Sequence, residues 1–138
     1  MKQSDPIYEL LSRAKTIAVV GLSESPLRPS HGVAAYMQAA GYKIIPVNPQ
    51  IAEALGEKAY PSLLEIPRDV AKTIDVVDVF RRSEFVDEIV EQAIRLKIAA
   101  IWLQEGVINE RAAEKARKAG MFVVMDRCIL KEHGARFR

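Results

Sequence analysis

Five short runs of apolar and β-branched residues recur along the chain, at 16–20, 42–47, 74–80, 99–103 and 121–125. Runs of this length with little alternation predict strands buried on both faces. The segments between them carry helical spacing instead. Val33, Tyr36, Met37 and Ala40 share one face, with Ser30 as the expected N-cap and Gly41 at the left-handed C-terminal position. Val86, Ile89, Val90 and Ala93 predict a helix that starts near Ser83, and Ala112, Ala113 and Ala116 predict another capped by Asn109 and closed by Gly120. Asp5 and Pro6 open an earlier helix with Ile7, Leu10, Leu11 and Ala14 inward, and Asp126 reads as the cap of a last one. Only 50–73 lacks a long period. There a helical turn is expected over 52–55, ending at Gly56, and a second at Ser62 and Glu65, stopped by Pro67.

Strands alternating with helices predict an α/β fold, a single Rossmann-like doubly wound parallel sheet with helices on both faces. The expected strand order is 3-2-1-4-5, within one domain over 1–138. Pro46 and Pro49 cannot donate to a ladder, so the second strand should end in a rigid, partly exposed segment. Asp75 and Asp78 interrupt the third strand and need hydrogen bonds or a place at its rim. Ligands of such sheets bind at the carboxyl ends of the strands. That rule selects 21–30, 47–49, 80–82 and 104–107 as one crevice.

Composition narrows the partners. A formal charge of +2, from 20 basic and 18 acidic residues, gives no reason to expect nucleic acid or a membrane surface. No apolar run approaches a membrane span, and the opening Met1-Lys2-Gln3-Ser4-Asp5-Pro6 does not read as a signal peptide. A single cysteine excludes an internal disulfide, and no Cys/His spacing suits zinc. A cytoplasmic protein with a small-molecule ligand is expected.

Gly21 ends the first strand, and the following loop holds Ser23, Ser25, Arg28 and Ser30 before a helix begins. Hydroxyls, a guanidinium held between Pro26 and Pro29, and a helix N-terminus together suit phosphate. A nicotinamide dinucleotide fits less well. The loop lacks G-x-G-x-x-G, and Val47-Asn48-Pro49 offers no acid for a ribose diol. The blocks Val20-Gly21-Leu22-Ser23-Glu24-Ser25-Pro26-Leu27-Arg28-Pro29-Ser30, Pro46-Val47-Asn48-Pro49 and Tyr60-Pro61-Ser62-Leu63 resemble small stand-alone CoA-binding proteins. So do Asp78-Val79-Phe80-Arg81-Arg82-Ser83, Ile101-Trp102-Leu103-Gln104-Glu105-Gly106-Val107 and Met125-Asp126-Arg127-Cys128. These proteins are similar to the CoA-binding domain of the succinyl-CoA synthetase α subunit. The resemblance implies coenzyme A or an acyl-CoA as ligand. It gives Gly21, Ser23, Ser25, Arg28 and Ser30 to the phosphates and Val47, Asn48 and Pro49 to the adenosine. Phe80, Arg81 and Gln104 go to the remainder. The ligase carries prolines where this chain has Arg81-Arg82.

Chemistry beyond binding has little support in the sequence. The ligase family uses a phosphorylated histidine in a further domain, whereas His31 and His133 read here as surface or capping residues. No acid/base pair or activated nucleophile stands out. The expectation is a binding protein. The alternatives are a nicotinamide enzyme or a ligase component acting with another chain. Trp102 reads as core. Cys128 follows the fifth strand at the start of a helix and beside Arg127, surroundings in which thiols react more readily. Its place near the fourth strand borders the pantetheine end of the crevice. Two readings stand for it: a mixed disulfide with the CoA thiol, or silent packing.

Overall fold

The computed structural model describes residues 4–138; the reading of Met1-Lys2-Gln3 lies outside the described residues. Five parallel strands form the sheet: β1 (Thr16–Val20), β2 (Lys43–Val47), β5 (Val76–Val79), β6 (Ala100–Leu103) and β7 (Phe122–Val124). Nearly every strand residue is buried, because helices cover both faces. On one side α1 (Pro6–Arg13), α2 (Pro29–Ala39) and α6 (Ile129–Phe137) pack Leu10, Leu11, Ala34, Met37 and Ile129 against Ile17, Val19, Ile44 and Trp102. On the other, α3 (Arg68–Ala71), α4 (Val86–Arg95) and α5 (Glu110–Lys118) press Ala71, Ile89, Val90, Ala112 and Ala116 onto Ala18, Ile45, Val77 and Ile101. No helix of the described residues is long and apolar enough to cross a membrane.

The order of strands differs from the expected 3-2-1-4-5. The third strand, β5, pairs with β1 on its free side, so the sheet runs β2-β1-β5-β6-β7. Pro46 explains the difference. Its carbonyl accepts from Tyr60 N at 3.0 Å on the outer edge, the side where its own missing N–H would have had to donate. A full strand paired there would lack one ladder bond. A single bridge between Val47 and Tyr60 covers the edge instead, and β2 ends the sheet. The reversal of order therefore falls between β1 and β5.

Three local expectations also change. Residues 52–55 form no helical turn; β3 (Glu53–Ala54) and β4 (Glu57–Lys58) make a hairpin whose tip, Leu55 and Gly56, has φ of 54° and 77°. Ser30 lies inside α2, and Arg28 holds the N-cap position. Asp126 does not cap α6: it is left-handed, with φ 61°, and its carboxylate accepts from Gly106 N at 2.8 Å. The Asp5 and Asn109 caps form as expected. Asp5 Oδ1 accepts from Ile7 N and Tyr8 N, and Asn109 Oδ1 from Ala112 N. Asp75 finds partners in the Lys15 and Thr16 N–H groups at 2.8 and 3.0 Å. Asp78 does not. It is 1 % exposed on the central strand, and its Oδ1 has no hydrogen bond.

Candidate functional site

The register brings four strand ends to one level: Val20 pairs with Val47 and Val79, and Val79 with Leu103. The loops that follow therefore leave together, from Gly21, Asn48, Phe80 and Gln104. Gly21 N donates to Val47 O and Phe80 N to Val20 O, both at 2.8 Å. Gly21 has φ +90°, and a Cβ there would lie 2.5 Å from the Phe80 carbonyl oxygen. Only glycine permits this approach. It draws the two loops together at the reversal of strand order, where such sheets bind their ligands.

A polar groove of about 560 Å³ opens over Gly21, bounded by Ser23, Glu24, Ser25, Arg28, Ser30 and Asn48, with Phe80 at one end. Its serines are arranged by the backbone. Ser23 Oγ accepts from Ser25 N at 3.0 Å, Ser25 Oγ from Leu27 N at 3.3 Å, and Ser30 Oγ from Ser23 N at 3.0 Å. Each hydroxyl oxygen thus serves as an acceptor within the protein, and its hydrogen remains free to donate. Among the described residues Arg28 has no ion-pair partner. Asn48 plays a structural part. Its Nδ2 donates to Leu22 O and its Oδ1 accepts from Gln50 N, tying the loop after β2 to the loop after β1.

Two further cavities join this groove. A narrow one of about 190 Å³ lies between the ends of β1 and β2 and helix α4, with Val20, Val47, Pro49, Leu63, Phe85 and Ile89 as apolar walls. Arg81 also lines it, with its guanidinium 4.2 Å from the Phe85 ring centre, a cation–π distance. The other, about 390 Å³, lies on the α2 and α6 side and includes Pro29, Val33, Phe80, Arg81, Gln104 and Cys128. Gln104 is buried, and its Oε1 accepts from Ile129 N at 3.0 Å. Cys128 holds the N-cap position of α6, buried except toward this cavity.

All twelve residues singled out in the sequence border this connected crevice: Gly21, Ser23, Ser25, Arg28, Ser30, Val47, Asn48, Pro49, Phe80, Arg81, Gln104 and Cys128. Sequence reasoning missed Phe85 and Leu63, which wall the narrow cavity. Leu63 stood in the Tyr60-Pro61-Ser62-Leu63 block without a role of its own, and Phe85 reaches Arg81 because the chain turns back after the extended Arg82, through the short turn Ser83–Phe85. His133 also departs from expectation. It is buried, shares a 3.0 Å hydrogen bond with Tyr36 and stacks on Phe137, and burial lowers its pKa. It lies away from the crevice. No group of three His, Cys, Asp or Glu side chains among the described residues could hold a metal ion.

Comparison with known proteins bears on the family and the fold. A Bacillus subtilis protein known as uncharacterized protein YneT is 49% identical over 127 residues, which cover 92% of this chain and 91% of that one. A hypothetical protein of Pyrococcus horikoshii has the same fold with a TM-score of 0.90 and 38% identity, and each chain covers the other fully. ADP-forming acetate–CoA ligase II of Archaeoglobus fulgidus is 31% identical over 88% of this chain, a stretch that spans 17% of the ligase. An acetyl-coenzyme A synthetase of Ca. Korarchaeum cryptofilum shares the fold alone, with a TM-score of 0.70 at 22% identity. Residues 15–134 match the family description "CoA binding domain", and the chain belongs to that family.

Proposed function

We propose that this chain binds coenzyme A or an acyl-CoA in the crevice, with binding rather than turnover as its primary act. The observation that carries the reading is the meeting of three unlike cavities at Gly21, Phe80 and Arg81. CoA is a molecule of three unlike parts, and each part has a counterpart. The narrow apolar cavity beside Val47 and Pro49 suits a planar base, with the Arg81–Phe85 stack in its wall. The groove of Ser23, Ser25, Ser30 and Arg28 suits phosphates, because it offers free hydroxyl hydrogens, an unpaired guanidinium and the start of an eleven-residue helix. Phe80, Gln104 and Cys128 lie where the pantetheine arm would end.

A nicotinamide dinucleotide fits this arrangement poorly. No carboxylate follows β2 to hold a ribose diol, and Asn48, which stands there, is committed to Leu22 O and Gln50 N. Titration calorimetry of the purified chain with CoA and with NAD tests the reading. Binding of CoA is expected to be the tighter by at least tenfold. Equal or tighter binding of NAD would overturn it.

A further inference from the structure

Cys128 and Gln104 share one cavity, and one bond fixes how they face it. Gln104 Oε1 accepts from Ile129 N, the residue after Cys128, at 3.0 Å. The amide oxygen is thereby turned to the helix, which leaves its nitrogen pointing the other way. Gln104 is 4 % exposed, yet that nitrogen has no hydrogen-bond partner among the described residues. Nor is it sealed in the core, since Asp78 Oδ1 is the one sealed side-chain atom found there without a partner. It therefore opens to the cavity that Gln104 lines with Cys128. A donor open to the cavity and unmatched within the protein can meet an acceptor that a ligand brings there.

The chemistry of the acceptor can be narrowed. A thiol or disulfide sulfur accepts hydrogen bonds weakly, whereas a carbonyl oxygen accepts them well. The CoA sulfur itself, as a thiol or in a disulfide to Cys128, would match the Gln104 amide poorly. A thioester carbonyl would satisfy it. Pro29, Val33, Phe80 and Val107 form apolar walls around a space of about 390 Å³ that must also take the end of the arm, which leaves room for a short acyl group.

We propose that this cavity receives the thioester carbonyl of a short-chain acyl-CoA, hydrogen-bonded to Gln104 Nε2, and that Cys128 accepts the acyl group from it. The inference rests on the CoA reading above. The Cys128 sulfur attacks the carbonyl carbon, and Gln104 Nε2 donates to the oxygen as charge gathers on it. The bond from carbonyl carbon to the CoA sulfur then breaks. The proton lost by Cys128 passes to the departing CoA thiolate. One thioester replaces another, with no change in oxidation state and no further reagent.

The test uses the full chain with acetyl-CoA in a phosphine reductant, which removes disulfides and spares thioesters. Intact-mass spectrometry follows acylation while calorimetry follows binding. The expected result is one acetyl group per chain, released by hydroxylamine and mapped to the peptide containing Cys128, with none in Cys128→Ala. Gln104→Glu keeps the acceptor for Ile129 N and removes the amide donor. At saturating acetyl-CoA it should acylate about 100-fold more slowly, the usual loss for one oxyanion donor. Acetyl-CoA that binds wild type without acylating it would overturn this inference and leave the CoA reading standing. Acetyl-CoA and CoA that both fail to bind would overturn the two together. An unchanged rate in Gln104→Glu would overturn the assignment of the amide.

Discussion

Arg28 and Asp78 are ionisable groups in opposite circumstances, and each yields a measurement. Arg28 stands exposed at the start of α2, between two prolines and among serine hydroxyls, with no partner to surrender when an anion arrives. Arg28→Ala should weaken CoA binding by about 1.5–3 kcal/mol, the size of a charge-assisted hydrogen bond. Its melting temperature should stay near that of wild type, because an exposed loop side chain supports little of the core. Calorimetry beside thermal denaturation checks both halves; an effect confined to stability would count against phosphate binding. Asp78 is buried between Val19 and Trp102 in register, and burial pushes its carboxyl well above the usual carboxylate range. The folded chain then holds a proton that the unfolded chain releases near pH 3.9. Stability from this group is full below that pH and is lost as pH rises toward the folded value. Denaturant titrations across pH should show wild type losing up to about 1.4 kcal/mol per pH unit relative to Asp78→Asn. Parallel curves for the two proteins would refute this.

The elements were legible in the sequence wherever local chemistry decides them. Short, largely apolar runs marked all five strands of the sheet, the third despite Asp75 and Asp78, and the Asp5 and Asn109 caps formed with the expected acceptors. Gly21 was legible as a turn, but its reason was not: the Phe80 carbonyl that excludes a Cβ comes from a strand far along the chain. Ser30 shows the same limit. A serine before an apolar helix face reads as a cap, yet Pro29 already suits the first helical position. The hydroxyl, freed from capping, turns to Ser23 N across the loop. The hairpin at 53–58 was hidden because its tip places Leu55 at positive φ, where a leucine gives no warning. Its period is also too short to register against a helical turn.

At the scale of the molecule, the sequence told which residues would share a crevice without fixing the order of strands that brings them there. Each candidate residue sits at a strand's carboxyl end or just beyond, and those ends stay together in either order. What the order changes is where the chain reverses, and Pro46 decided that through one missing N–H on an outer edge. A second long-range feature is the meeting of α1 and α6. Asp5 Oδ2 receives the Arg136 Nε–H at 2.8 Å, Arg136 also grips Glu132, and Tyr8 stacks on Phe137 with ring centres 5.0 Å apart. Residues near opposite limits of the described chain are thus neighbours in space, and the path from Asp5 to Arg136 is almost a closed circle. A circle can be opened elsewhere. A circular permutant that joins these limits through a short linker and begins at Gly56, on the exposed hairpin tip, leaves every pairing of the five-stranded sheet intact. It should give the far-ultraviolet dichroism of the parent and bind CoA with an unchanged Kd. A permutant that binds CoA weakly although folded would mean that the crevice depends on continuity through the hairpin, and that the Asp5–Arg136 clasp is not enough to hold its loops in place.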